Sequence, residues 1–157
     1  MYEHLLVALD GSRPAERVLD HAEALARAFG SEVTLLRATL SAEMVIAQTG
    51  AGDAAVGQMT PTMDPEPVLE ADHSTATDYM NRMAERLRQH NIKVTVDLTE
   101  GAANTVIVER ARELGVSLIL MTTHGRGGLG RMVFGSVADS VLRHAECPVL
   151  LVRITEA

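Results

Sequence analysis

The stretch M-T-T-H-G-R-G-G-L-G-R-M-V-F-G-S at residues 121–136 gathers most of the residue types in this chain that could do chemistry together. A glycine-rich turn lets successive backbone N–H groups crowd toward an anion. Gly135-Ser136 opens a predicted helix, whose first amides have no intrahelical partner and favour negative charge. Ser136 adds a hydroxyl donor, and Arg126 and Arg131 add positive charge. The chemistry this suits is phosphate binding; the plain alternative is a surface loop leading into a capped helix. Two more specific patterns fail. Gly125, Gly127 and Gly130 match G-x-G-x-x-G. The dinucleotide reading, however, needs an acidic residue about 20 positions on, at the end of a following strand. That position is Leu150, inside the last predicted strand. Gly130 to Ser136 has the spacing of a phosphotransferase P-loop but lacks the lysine that reaches the terminal phosphates.

Outside this loop the candidates are single residues. Asp10 ends an apolar run at Asp10-Gly11, as a ligand contact or simply as a turn residue. His124 could touch a phosphate, but no acid or nucleophile stands beside it to form a catalytic unit. His144 suits the negative end of a helix, and Cys147 beside Pro148 reads as a small buried hydrophobe. The six histidines and one cysteine show no metal-ligand spacing. Met44, Met59 and Met63 could cover a ligand or partner, but methionine in a loose segment is more often incidental.

The elements that must position these residues follow from hydrophobic periodicity. His4 to Leu9 predicts a strand, and Ser12 with Pro14 begins a helix. That helix carries Ala15, Val18, Leu19, Ala22, Leu25, Ala26 and Phe29 on one face and stops at Gly30. Val33 to Ala38 is a second strand. Val68 to His90 predicts a helix with a Tyr79, Met80, Met83, Leu87 stripe, and Ile92 to Leu98 a third strand. A helix over 103–114, a doubly buried strand over 116–121, a helix over 136–144 and a strand over 148–154 complete the pattern. This alternation predicts an α/β fold, with a parallel sheet and helices on both faces. Ligands then bind beyond the carboxyl ends of the strands, where the winding reverses. Asp10 and the loop after Thr122 both lie at such ends.

Charge refines the picture. The 157 residues hold 14 Lys+Arg and 21 Asp+Glu, a net charge of −7. All of that excess lies in residues 41–78, which hold seven acids and no lysine or arginine; the rest is balanced. An acidic chain with no Trp, two Phe and two Tyr is a poor nucleic-acid binder and a poor match for an anionic membrane. A balanced frame with two arginines in its glycine loop still admits a small anion locally. The expectation is one domain over 1–157 with a mobile acidic insertion at about 41–68. A single cysteine and an acidic residue ahead of a short apolar run point to the cytoplasm, without a signal peptide. The last strand, Val149 to Ile154, is apolar on both faces and belongs at a sheet edge, where it invites antiparallel pairing in a two-fold dimer.

The chain resembles the universal stress protein family over nearly its full length. The family pattern has two glycines three apart, nine further residues, then Gly followed by Ser or Thr. Gly125, Arg126 to Phe134 and Gly135-Ser136 match its second part, while Thr122 stands where the first glycine belongs. The opening L-L-V-A-L-D-G-S and closing C-P-V-L-L-V-R match the family's first and last strands. The resemblance implies a Rossmann-like open sheet of five parallel strands, ordered 3-2-1-4-5. It implies an ATP site between the first and fourth strands, any Mg²⁺ arriving with the nucleotide. Asp10, flanked by Ala8 and Leu9, would lie near adenine and ribose, and Ala38 would border the base. Gly125, Arg126, Gly135, Ser136 and Val137 would face the phosphates, with His124 beside them, and Thr122 would border the ribose, where its hydroxyl could donate to the sugar. It also implies a homodimer through the last strand. The function so implied is a nucleotide-binding, dimeric regulatory or sensing module of the stress response, not an enzyme. A slow ATPase and a nucleotide-free interaction module are the alternatives.

Overall fold

The computed structural model describes residues 1–48, 64–124 and 135–154. Five parallel strands form one sheet in the order β3-β2-β1-β4-β5: β1 His4–Ala8, β2 Glu32–Thr39, β3 Val94–Glu100, β4 Leu118–His124 and β5 Val149–Ile154. The α/β class and the 3-2-1-4-5 order are therefore as expected. Helices α1 (Val18–Phe29) and α3 (Glu66–Arg88) cover one face, and α4 (Ala103–Glu113) and α5 (Ser136–His144) cover the other. Successive strand residues point to opposite faces, so Leu5, Val7 and Leu120 pack under α1 and α3, while Leu6, Ile119 and Met121 pack under α4 and α5. Two buried clusters result, which is why β1 and β4 read as continuous apolar runs.

The first helix begins more gradually than its sequence suggests. Ser12 Oγ accepts the Ala15 N–H at 3.3 Å and a single 3-10 turn spans Pro14–Arg17, with α1 proper starting at Val18. Phe29, expected on the buried face, is 46% exposed. It lies in the last turn, and its ring meets Tyr2 edge-on at 5.2 Å instead. Two strands also run further than predicted. β3 starts two residues later than Ile92 and continues to Glu100, because it pairs with β2 from Val33↔Val94 to Thr39↔Glu100. β4 continues through Thr122, Thr123 and His124, held by β5 up to His124↔Ile154.

In the acidic segment, Ala42–Gln48 form a short helix, α2, and α3 begins at Glu66. Helix therefore occupies both ends of the stretch expected to be loop; residues 49–63 lie outside the described residues.

Tyr79 on α3 is almost fully buried, and its hydroxyl finds no hydrogen-bond partner among the described residues. Burial, reinforced by the Glu16 and Asp10 charges and opposed by Arg37 and Arg82, pushes its phenol up to about 12. The folded protein thus holds this proton more tightly than the unfolded chain, whose tyrosines titrate near 10. The resulting stability is complete below pH about 10 and is lost as pH rises through about 12. A Tyr79→Phe variant is expected to be at least as stable as the parent at neutral pH, since it deletes an unpaired buried hydroxyl. Chemical denaturation at steps from pH 9 to 12 should show the parent losing stability relative to the variant. Parallel curves for the two proteins would contradict this.

Candidate functional site

A crevice of about 500 Å³ opens at the carboxyl end of the sheet, over the end of β1 and between β2 and β4. Here the winding reverses: β1 leads to β2 on one side and pairs with β4 on the other. The volume lies in the range of small-molecule and cofactor sites. Four segments build most of its walls. The end of β1 supplies Ala8, Leu9 and Asp10; the end of β2 supplies Arg37, Ala38, Thr39 and Leu40. The end of β4 supplies Thr122 and Thr123, and the start of α5 supplies Gly135, Ser136 and Val137.

The local geometry has clear causes. Leu9 N–H donates to Leu36 C=O at 2.9 Å, extending the β1–β2 ladder by one bond before the chain turns away. Asp10 then turns the chain: its Oδ1 accepts the Ser12 N–H at 2.9 Å, an Asx-type turn. Gly11 sits at φ +84°, and a Cβ there would lie 2.8 Å from an Arg37 guanidinium nitrogen. The turn therefore favours glycine for its conformation, while a Cβ there would push aside the end of the Arg37 side chain. Across the crevice, Gly135 adopts φ +77° and ψ 152° immediately before α5. Its C=O accepts the Asp139 N–H at 3.0 Å, which starts the helix. The first amides of α5 are consequently unpaired within the helix, and their residues, Gly135, Ser136 and Val137, line the crevice.

The β2 side is polar. The Arg37 guanidinium lies 5.7 Å over the Tyr79 ring and 3.9 Å from Asp72 of α3. The other Asp72 oxygen accepts the Leu40 N–H at 2.9 Å. Met44 of α2, and Gly101 and Ala103 at the β3–α4 turn, complete the wall. Among the described residues no group of three His, Cys, Asp or Glu side chains is placed to hold a metal ion, and no helix is long and apolar enough to cross a membrane.

Of the residues singled out from sequence, Ala8, Leu9, Asp10, Ala38, Thr122, Gly135, Ser136 and Val137 line this one crevice. His124 is the final residue of β4. Gly125 and Arg126 lie outside the described residues. Sequence reasoning missed Arg37, Thr39, Asp72 and Gly101; Met44, weighed there as a possible cover for a ligand and set aside as incidental, lines the crevice, while Met59 and Met63 lie outside the described residues. Arg37 left a signal, a lone charge near the end of an apolar strand. Gly101 left another, a glycine between a strand and a helix. Asp72 left none, because it arrives from a helix more than thirty residues further along.

The profile of the universal stress protein family matches residues 1–153. A universal stress protein of Methanocaldococcus jannaschii is 29% identical over 153 residues, spanning 98% of this chain and 83% of its own length. The crystal structure of a universal stress protein family member from Burkholderia pseudomallei superimposes with a TM-score of 0.70 at 27% identity, covering 96% of each chain. The Archaeoglobus fulgidus universal stress protein, solved in complex with dAMP, gives a TM-score of 0.64 at 22% identity over 96% of this chain and 97% of its own.

Proposed function

This chain belongs to the universal stress protein family, and from that premise we propose that it binds ATP in the crevice at the end of β1 and works as a dimeric regulatory or sensing module. The observation that carries the reading is that the Asp10 turn and the Gly135-Ser136 helix start both line one cavity. Asp10 meets the ribose, Ala8, Leu9 and Ala38 flank the base, and Thr122 offers a hydroxyl to the sugar. Gly135, Ser136 and Val137 present the α5 amides to the phosphates, joined by His124, Gly125 and Arg126. The cavity suits the ligand in size and in donor set: hydroxyls and helix-start amides at the β4–α5 end, and apolar Ala8, Leu9 and Ala38 beside polar Asp10, Arg37 and Asp72 at the β1 and β2 ends. The dAMP carried by the Archaeoglobus fulgidus protein is an adenine nucleotide and agrees with this reading. Mg²⁺ would come with the nucleotide, since it needs few protein ligands. No residue of the crevice is assigned a catalytic role.

Thermal melting tests the proposal. ATP at a hundred times its dissociation constant adds about 2.7 kcal/mol of stability. For a chain of this size that raises the melting temperature by about 5–10 °C. An unchanged melt at millimolar ATP would favour the second reading, a nucleotide-free interaction module. Thr122 is the observation behind that alternative, because it places a branched side chain on the crevice wall where the family pattern has glycine.

The dimer is proposed to form through β5. The two sheet edges differ: β3 carries Asp97, locked to Arg110 at 2.7 Å, whereas β5 presents a half-buried apolar run from Val149 to Val152. Charge on an edge strand discourages pairing, and a bare apolar edge invites it. Gel filtration with light scattering should give twice the chain mass at micromolar concentration. A Leu151→Lys variant should shift it to the monomer; a parent that runs only as a monomer would overturn the dimer.

A further inference from the structure

Resting on the nucleotide reading above, we propose that Asp72 selects the base, by accepting a hydrogen bond from the exocyclic amino group of adenine. Asp72, on α3, lines the crevice with Ala38 and Met44, and α3 covers the sheet face opposite the one that α5 covers. Its carboxylate is fixed at one oxygen only. Oδ2 accepts the Leu40 N–H at 2.9 Å, which pins the side chain to the end of β2.

Oδ1 is placed differently. Its nearest cation, Arg37 Nη2, is 3.9 Å away, an ion-pair distance too long for a hydrogen bond. Arg37 is itself held elsewhere, against the Gly11 backbone and over the Tyr79 ring. Among the described residues Oδ1 therefore receives no direct hydrogen bond, while Arg37 offsets the carboxylate's charge. The Asp72 side chain is only 21% exposed, so this oxygen is partly withdrawn from water and gains from a ligand donor.

A carboxylate accepts and does not donate. With phosphates at α5 and ribose at Asp10, the donor that reaches the β2 side is one on the base. One remaining oxygen matches the single amino group of adenine. The paired N1–H and N2–H₂ of guanine would call for both oxygens. Hypoxanthine would bring a carbonyl oxygen against the carboxylate.

Titration calorimetry with three triphosphates tests this. They are ATP, purine riboside triphosphate, which carries hydrogen in place of the amine, and inosine triphosphate. The parent protein is expected to bind ATP at least about tenfold more tightly than either analogue. In Asp72→Asn the amide oxygen still accepts the Leu40 N–H while its NH₂ can donate to inosine, so the preference for ATP over inosine triphosphate should fall to within about threefold. Equal binding of ATP and purine riboside triphosphate by the parent would overturn the role of Asp72 and leave nucleotide binding standing; that arm needs no variant to fold. A full ATP preference retained in Asp72→Asn would overturn it equally. Binding of none of the three by the parent would instead defeat the nucleotide reading, and the base selection with it.

Discussion

Gly135→Ala is expected to weaken ATP binding by at least about tenfold and to lower stability by about 1–3 kcal/mol. The backbone of Gly135 lies at φ +77°, ψ 152°, a region open to glycine and costly for any residue with a Cβ. No described atom stands within 4 Å of the position a Cβ would take, so the substitution meets no clash among the described residues. The effect expected is conformational. To relieve the strain the chain must rotate this peptide, and the first amides of α5 move with it. Stability and affinity should therefore fall together. Ser136→Ala, which removes one hydroxyl and leaves the backbone alone, should weaken binding less and leave the melt nearly unchanged. Thermal melts and ATP titrations on the two variants separate these effects. A Gly135→Ala protein that binds and melts like the parent would show that the amides are not presented through this conformation.

Leu120→Ala should cost about 2–5 kcal/mol, the range for deleting a fully buried leucine side chain. Leu120 has no exposed surface. It stands between Val7 of β1 and Leu150 of β5, in the cluster beneath α1 and α3. Neighbours on both sides are strands of a continuous sheet, which limits how far the cavity can collapse. The same strand carries Thr122 into the crevice two residues later, so loss of packing reaches the site through β4. Denaturant unfolding should show a lower midpoint with an unchanged slope. A loss below about 1 kcal/mol would mean that the site repacks freely, contrary to the close packing described.

The order of elements was legible in the sequence because the buried strands, β1 and β4, are apolar on both faces and the helices between them are punctuated by glycine. The carboxyl ends of the strands were legible for the same reason, and with them Asp10, Thr122 and Gly135. β3 was read two residues early. As an edge strand of mixed polarity, V-T-V-D-L-T-E, it owes its limits to pairing with β2 and not to its own pattern. The polar end of β4 was read as loop because Thr122 to His124 carry no strand signal apart from their ladder with β5. α2 was missed because seven residues with one buried side chain make a weak periodic signal. Asp72 was invisible for a different reason. Its place in the crevice depends on α3 packing across β2 and β3, a tertiary fact with no local trace. The segment that holds the chain's excess acid, residues 41–78, thus contributes one carboxylate to the wall of the site.

The central claim is that this crevice holds an adenine nucleotide. The most direct measurement is mass spectrometry of what heat denaturation releases from the protein, both as purified and after incubation with ATP and desalting. The expected result is one adenine nucleotide per chain from the incubated protein, strongly reduced in Gly135→Ala. Release of no nucleotide from either sample would contradict the claim.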